Sequence, residues 1–314
     1  MTRPRVAVVR LPGMNCEDET ARALELSGLE AVPIAWDEEP RALLGHDAYV
    51  LPGGFSYQDR VRAGAIAAKD PRLDVLAEQA AKGVPVLGIC NGAQILVEAG
   101  LVPGGDGVVS LALATNRLER RDGYYAAWVV LEARPGSLWT EAYAPNERVP
   151  LPMAHGEGRF TARTPGTLER LARDGQVPYA YVAREGEGAA RGWPDNPNGA
   201  EADAAGVTNA RGNVLALMPH PERADRLYHV PEDLAGPWGE RRRSARGDAA
   251  KIQGAGPGHG VFLSLAWHLG ISPRVAMRAE GVSEGTRAEG EPGPTGPEGG
   301  ALSADRALNA MRAK

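Results

Sequence analysis

The chain has 314 residues, with 35 Lys and Arg against 40 Asp and Glu, a formal net charge of −5 and a sequence pI of about 5.8. That balance offers no bulk attraction to nucleic acid or to an anionic membrane, and the length suits one large domain or two modest ones. The only two cysteines, Cys16 and Cys90, argue against a disulfide framework and fit a reduced, cytoplasmic setting.

Arg5–Val9 reads as a first buried strand, β-branched and closed by Pro12-Gly13. The basic start before it has too short an apolar run for a signal peptide, and no stretch approaches a membrane span. Glu17–Leu26 has helical spacing and stops at Gly28. Ala31–Ala35 and Asp47–Leu51 read as further strands, the latter ending in Pro52-Gly53-Gly54; Ala63–Ala68 and Leu73–Ala81 read as helices. A fourth strand, Val86–Ile89, leads directly into a helix from Asn91 to Gly100. This alternation predicts an α/β fold, a doubly wound, flavodoxin-like and mostly parallel sheet with helices on both faces. Ligands of such sheets bind beyond the carboxyl ends of the strands. The Pro12–Cys16 loop, the Gly53-Gly54 loop and Cys90 are therefore expected along one edge.

From Val108 to about Val182 the pattern changes. Tyr124–Glu132 and Val177–Val182 read as antiparallel or mixed strands among Pro- and Gly-rich loops, which suggests an inserted β-rich lobe. Asn196–Gly199 is a turn, and Gly206–Asn209 with Val214–Met218 frames a hairpin. Asp225–Gly260 reads as a loop-rich insertion, in which Arg241–Arg243 form a solvated face or, less simply, dock an acidic patch. Val261–Leu269 reads as a last helix. Residues 1–275 are thus expected to be one domain and 276–314 a flexible Gly/Glu/Pro-rich tail, with a short helix at Leu302–Met311.

Chemistry concentrates in Gly88-Ile89-Cys90-Asn91-Gly92, a G-x-nucleophile-x-G elbow with cysteine as the nucleophile. The following helix aims its amino end at the sulfur and favours thiolate. Taken alone, Cys90 also fits a small core cysteine. Met218-Pro219-His220-Pro221-Glu222 offers a base and an orienting acid; in an extended run His220 and Glu222 share one face. Taken alone, this segment also fits a surface turn. The backbone N–H groups of Asn91 and Gly54 are candidate oxyanion donors, although Pro52–Gly54 also suits a plain turn. Cys16 lies in the first βα loop, a place near the mouth of the site, but with no acid–base pair beside it in sequence it reads as a loop cysteine. No histidine pair has ligand spacing, so no metal is expected. The glycines at 254, 256, 258 and 260 follow no strand and do not make a dinucleotide fingerprint.

GICNGAQ with the later PHPER resembles the class I (triad) glutamine amidotransferases. LPGMNCEDE, PGGFSYQDRVRAGAIA, AHGEGRF, NPNGA and GNVLALMPHPER narrow the likeness to the glutaminase subunits of phosphoribosylformylglycinamidine synthase, over about Arg5 to Arg223. The resemblance implies glutamine hydrolysis through a thioester on Cys90, with His220 and Glu222 completing the triad. It implies that Gln94 helps bind glutamine and that His155 lines the site or a partner interface. It further implies a large synthetase subunit and a small third subunit as partners, with ATP and Mg in the synthetase and no cofactor in this chain. Arg62 suits a surface ion pair better than a docking contact. One departure stands out: Gln58 occupies a loop position where glycine is expected, and a turn needing positive φ would be strained there. The alternative reading is a free-standing cysteine hydrolase of the same fold, acting on γ-glutamyl or peptide bonds without a partner.

Overall fold

The computed structural model describes residues 2–117, 123–186 and 188–272. The expected tail at 276–314 and its terminal helix lie outside the described residues.

The first half alternates strand and helix: β1 (Arg5–Val9), α1 (Glu17–Leu26), β2 (Glu30–Ile34), β3 (Ala48–Leu51), α2 (Arg72–Ala81), β4 (Val86–Ile89) and α3 (Asn91–Glu98). Then come β5 (Leu111–Thr115), β6 (Tyr125–Ala133), β7 (Glu147–His155), β8 (Glu157–Ala162), α4 (Thr167–Arg173), β9 (Tyr179–Tyr181), β10 (Ala204–Thr208) and β11 (Val214–Leu217). The last described elements are α5 (Pro237–Ser244), α6 (Ala249–Ile252) and α7 (His259–His268).

One nine-stranded sheet has the order β2-β1-β3-β4-β11-β10-β9-β6-β7. The first five of these are mutually parallel, in the flavodoxin-like order. Every residue of β3, β4 and β11 is buried, which is why AYVL, VLGI and VLAL are unbroken apolar runs rather than alternations. The handedness of the crossovers places the helices. The step from β1 to β2 runs one way along the sheet, and the steps to β3, β4 and β11 run the other. Right-handed connections then put α1 on one face and α2 and α3 on the opposite one. Packing agrees: α7 lies against α1, and α2 lies against the short Pro40–Leu43 helical turn that joins β2 to β3.

The β-rich segment is present but is mostly not a separate lobe. Strands β10, β9, β6 and β7 continue the central sheet in antiparallel fashion, because the β10–β11 hairpin turns the chain back beside the parallel half. Among the described strands, only β5 and β8 pair apart from it. Burial alternates along β6 and β7, as expected for strands with one wetter face. Their mixed Pro, Ala and Trp content hides β7, and β5, β8 and α4 have too short a pattern to read from sequence. The expected helix at 63–68 is instead a set of turns leading to a short helical turn at Ala67–Lys69, because Gly64 takes φ +78° against the backbone of Gln94 and Ile95. The 225–260 insertion is more ordered than its composition suggests. It contains α5 and α6 around a small cluster of Leu227, Val230 and Ala245. Arg242 and Arg246 both pair with Glu232, and Arg241 lies over Trp238, 4.9 Å from the ring centre.

The elbow between β4 and α3 is packed without slack. A Cβ on Gly92 would lie 2.0 Å from the carbonyl oxygen of Leu51 in β3. The helix preference of Ala over Gly, about 1 kcal/mol, does not offset a clash with a central strand. Gly92→Ala is expected to lower stability by about 1–3 kcal/mol, read as a lower midpoint in urea denaturation.

Candidate active site

Strands β4 and β11 are parallel neighbours in register, Ile89 opposite Leu217. Their carboxyl ends therefore deliver Cys90 and the Met218–Glu222 run to the same place, and the Cys90 N–H donates to the Leu217 carbonyl at 2.8 Å. Cys90 has φ 50° and ψ −103°. Such a backbone costs on the order of 1–3 kcal/mol and persists only where its surroundings hold it. The Cys90 thiol is buried and lies 3.6 Å from the Ala154 carbonyl of β7.

His220 is extended, and its N–H donates to the Pro152 carbonyl at 2.8 Å. The segment does not stay extended: Pro221–Ala224 is a turn of helix, with proline at its first position. The turn still folds Glu222 back under the ring, and His220 Nδ1 meets Glu222 Oε1 at 2.6 Å. Both side chains are almost fully buried. Burial opposes charge on the imidazole, but Glu222 and the thiol of Cys90 outweigh it and hold the His220 pKa well above its ordinary value. With Nδ1 taken by Glu222, Nε2 is the nitrogen left for Cys90; it has no closed hydrogen bond in this resting arrangement.

The two candidate oxyanion donors lie at the start of α3 and on the loop after β3. Asn91 is the first residue of α3, where a backbone N–H has no partner within the helix. The Gly53–Phe55 loop bridges to Met14 through Phe55 N–H to the Gly13 carbonyl and Asn15 N–H to the Gly53 carbonyl, so the bridge does not use the Gly54 N–H. Gly54 itself has φ +152°, and a Cβ there would lie 2.5 Å from Met14 Cα. The Asn91 side chain ties the two regions together, accepting from Ser56 N–H at 2.9 Å. The expectation about Gln58 is met with interest: Tyr57, Gln58, Asp59 and Val61 all take positive φ, between 51° and 73°. Asp59 on this loop is pushed up to about 6 by burial and then by the charge of Glu157.

Gln94 is buried one turn into α3, and both ends of its amide are engaged: it accepts from Asn91 Nδ2 at 2.9 Å and donates to the Glu157 carbonyl at 2.6 Å. As placed, it fixes Asn91. His155 follows Ala154 at the end of β7, and its Nδ1 lies 3.1 Å from Asn116 Oδ1. Burial, then the charge of His220, pull its pKa down to about 3, so this imidazole is neutral. Its ring is packed against Gly158, where any Cβ would collide with it. This accounts for the second glycine of HGEGR. Arg62 pairs with Glu98 on the surface.

Sequence reasoning missed two neighbours of the triad. Cys16 N–H donates to the Gly53 carbonyl, which draws the first loop across the strand ends. Its sulfur accepts from Arg223 Nη2 at 3.0 Å and lies within hydrogen-bond reach of His220. Cys16 is thus not an isolated loop cysteine. The available signal was its place in the first loop beyond a central strand. At the rim, Tyr124 and Phe55 approach with ring centres 6.3 Å apart, and Tyr124 lies within electrostatic range of Cys90, His220, Arg223 and Cys16. No described helix is long and apolar enough to cross a membrane.

A family model for the CobB/CobQ-like glutamine amidotransferase domain matches residues 3–245. The chain is 42% identical over 271 residues to a "Phosphoribosylformylglycinamidine synthase subunit PurQ" of Methanothrix thermoacetophila, covering 83% of this chain and 96% of that relative. It is 44% identical over 220 residues to the subunit of the same name from Thermus thermophilus, covering 70% of this chain and 89% of that one. Among solved structures, "Structure of PurLQS from Thermotoga maritima" contains a chain that superposes with a TM-score of 0.59 at 31% identity, covering 85% of this chain and all of that one. A cysteine elbow beside a buried His–Glu pair, on a sheet of this order, thus occurs in a chain that belongs to the CobB/CobQ-like glutamine amidotransferases, within the PurQ family of phosphoribosylformylglycinamidine synthase subunits.

Proposed function

We propose that the chain is the glutaminase subunit of phosphoribosylformylglycinamidine synthase. It hydrolyses glutamine and supplies ammonia to a synthetase subunit, which converts formylglycinamide ribonucleotide to its amidine in purine biosynthesis. The observation that carries this reading is the buried His220–Glu222 pair, set at the end of the strand beside Cys90 in a chain of that family.

The residues divide the work as follows. His220 Nε2 takes the Cys90 proton, and the sulfur attacks the carboxamide carbon of glutamine. The N–H groups of Asn91 and Gly54 hold the oxyanion. The tetrahedral adduct collapses, the C–N bond breaks, and His220 returns its proton to the departing nitrogen, which leaves as ammonia. Water, deprotonated by His220, then cleaves the thioester to give glutamate and the free thiol. Glu222 orients the ring and stabilises its charged form throughout. Gln94 supports substrate binding through Asn91, and neutral His155 backs the Ala154 carbonyl that touches the thiol. The partners are a large synthetase subunit and a small third subunit, as the PurLQS structure suggests by likeness. ATP and Mg act in the synthetase, and the expected setting is the cytoplasm.

The test is glutamate release from glutamine by the full chain, alone and with the synthetase and third subunits. Release that rises when the partners are added supports the reading. Release indifferent to the partners would favour a free-standing cysteine hydrolase.

A further inference from the structure

We infer that Cys16, His220 and Glu222 form a buried inhibitory site for a borderline-soft divalent cation such as Zn2+. Sequence spacing conceals this set, since Cys16 stands in the first loop and the other two lie beyond the eleventh strand. The fold brings one ligand atom from each within 4.8 Å of the others, and all three residues are buried. A tetrahedral zinc site with thiolate, imidazole and carboxylate ligands has bond lengths of about 2.0–2.3 Å. Its ligand atoms lie roughly 3.4 Å apart on that geometry, so the cluster needs to close by at most about 1.4 Å.

Two independent features point to a ligand here. Glu222 Oε2 is a buried carboxylate oxygen without a hydrogen-bond partner among the described residues, so it retains capacity for another ligand. Glycine at 53 also lets the Cys16 thiol and the His220 ring stand side by side. A Cβ at Gly53 would lie 3.0 Å from Cys16 Sγ and 2.7 Å from His220 Cε1. Burial pushes the Cys16 thiol up, and His220 and Arg223, the latter 3.0 Å from the sulfur, pull it only part of the way back.

Charge and protons balance without a further reactant. Thiolate and carboxylate neutralise the dication, and the imidazole binds as a neutral ligand. The Cys16 thiol proton and the proton on the ligating ring nitrogen pass to solvent, so affinity rises with pH. The cation then holds the His220 ring away from its task at Cys90, and glutamine hydrolysis stops. This regulatory consequence rests on the glutaminase reading above; the binding itself does not.

The chain has only two cysteines, which makes the test clean. Purified full-length wild type, Cys90→Ser and Cys16→Ser are titrated with Co2+ to look for thiolate-to-cobalt absorption, and with Zn2+ against a chromophoric chelator. Cys90→Ser is expected to keep both the band and the Zn2+ affinity. Cys16→Ser is expected to lose the band and to bind Zn2+ at least 10–100-fold more weakly, the range already seen when only an outer partner of a metal ligand is lost. Cys16→Ala serves as a second variant with the same expectation. A band that depends on Cys90 alone, or an affinity unchanged without Cys16, overturns the site. In the assembled complex, Cys16→Ser is expected to need at least about tenfold more Zn2+ for half-inhibition of glutamate release, relative to its own metal-free rate. If the metal binds through Cys16 but wild-type complex releases no glutamate, the glutaminase reading fails and the metal site stands.

Discussion

Cys90→Ala is expected to abolish glutamine-dependent synthesis by the assembled complex while leaving synthesis from added ammonia intact. The thioester needs sulfur at the elbow, and the nearest other thiol cannot substitute. Cys16 stands on a different loop, whose N–H groups are tied to the Gly53 carbonyl, and precedes α1, whereas Cys90 is the elbow residue that precedes α3 and the Asn91 N–H. The loss in glutamate release should be on the order of 10⁴-fold or more, in line with removal of a triad nucleophile. The side chain is small and buried, so far-ultraviolet circular dichroism and the denaturation midpoint should hold close to wild type. Glutamate release above about one hundredth of wild type would mean that Cys90 is not the nucleophile. Loss of the ammonia-driven reaction would mean that the substitution damages the assembly rather than the chemistry.

Glu222→Gln is expected to cost on the order of 10²–10⁴-fold in kcat, with a characteristic change in pH behaviour. In the fold, burial works against the imidazolium and Glu222 works for it, with Glu222 the strongest of the raising influences. The pKa of His220 is raised, so the stability that its proton contributes is fully present below the unfolded value near 6.5 and is lost as pH rises through the folded value. Removing the carboxylate takes away the largest raising influence and leaves burial opposed only by the two cysteines. The folded pKa falls, and the alkaline loss of stability moves to lower pH. The same change weakens His220 as the base and the positive partner for the Cys90 sulfur. Alkylation of Cys90 by iodoacetamide, followed in a Cys16→Ser background, should therefore slow at neutral pH and recover only at higher pH. An alkylation profile identical to that of the parent would show that Glu222 does not govern the ring.

The site was legible in sequence where it is local and obscure where it is assembled. GICNGAQ shows strand, elbow and helix within one short run, because the glycines are demanded by backbone contact at Leu51 and α3. PHPER announced its acid beside its base, although the geometry arises through a helical turn at Pro221 rather than an extended run. Gln58 signalled a left-handed loop by standing where glycine was expected, but it did not reveal that Val61, a β-branched residue, shares that conformation at φ 73°. The meeting of Cys16, Arg223 and His220 had no local signature, since it depends on a loop hydrogen-bonding to Gly53 from another strand. The same holds for the fold. The central parallel strands β1, β3, β4 and β11 are buried apart from Arg5 and declare themselves as apolar runs, whereas the edge strand β2 is largely accessible. Strands β5, β7 and β8 are half-wet or proline-bearing, and only their partners identify them.

The adjacency of β4 and β11 also sets the order in which this molecule can come into being. During synthesis, β1 to β4 emerge together with their helices and can pair as a parallel unit. The far edge of β4, the fully buried VLGI, then has no neighbour until Val214–Leu217 leaves the ribosome. Over more than a hundred residues of translation the growing chain carries an apolar open edge, a template for pairing with a neighbouring nascent chain. Over the same interval Cys90 exists without its base. The strand that closes the edge is the one that carries His220, so protection from aggregation and chemical competence arrive in a single event.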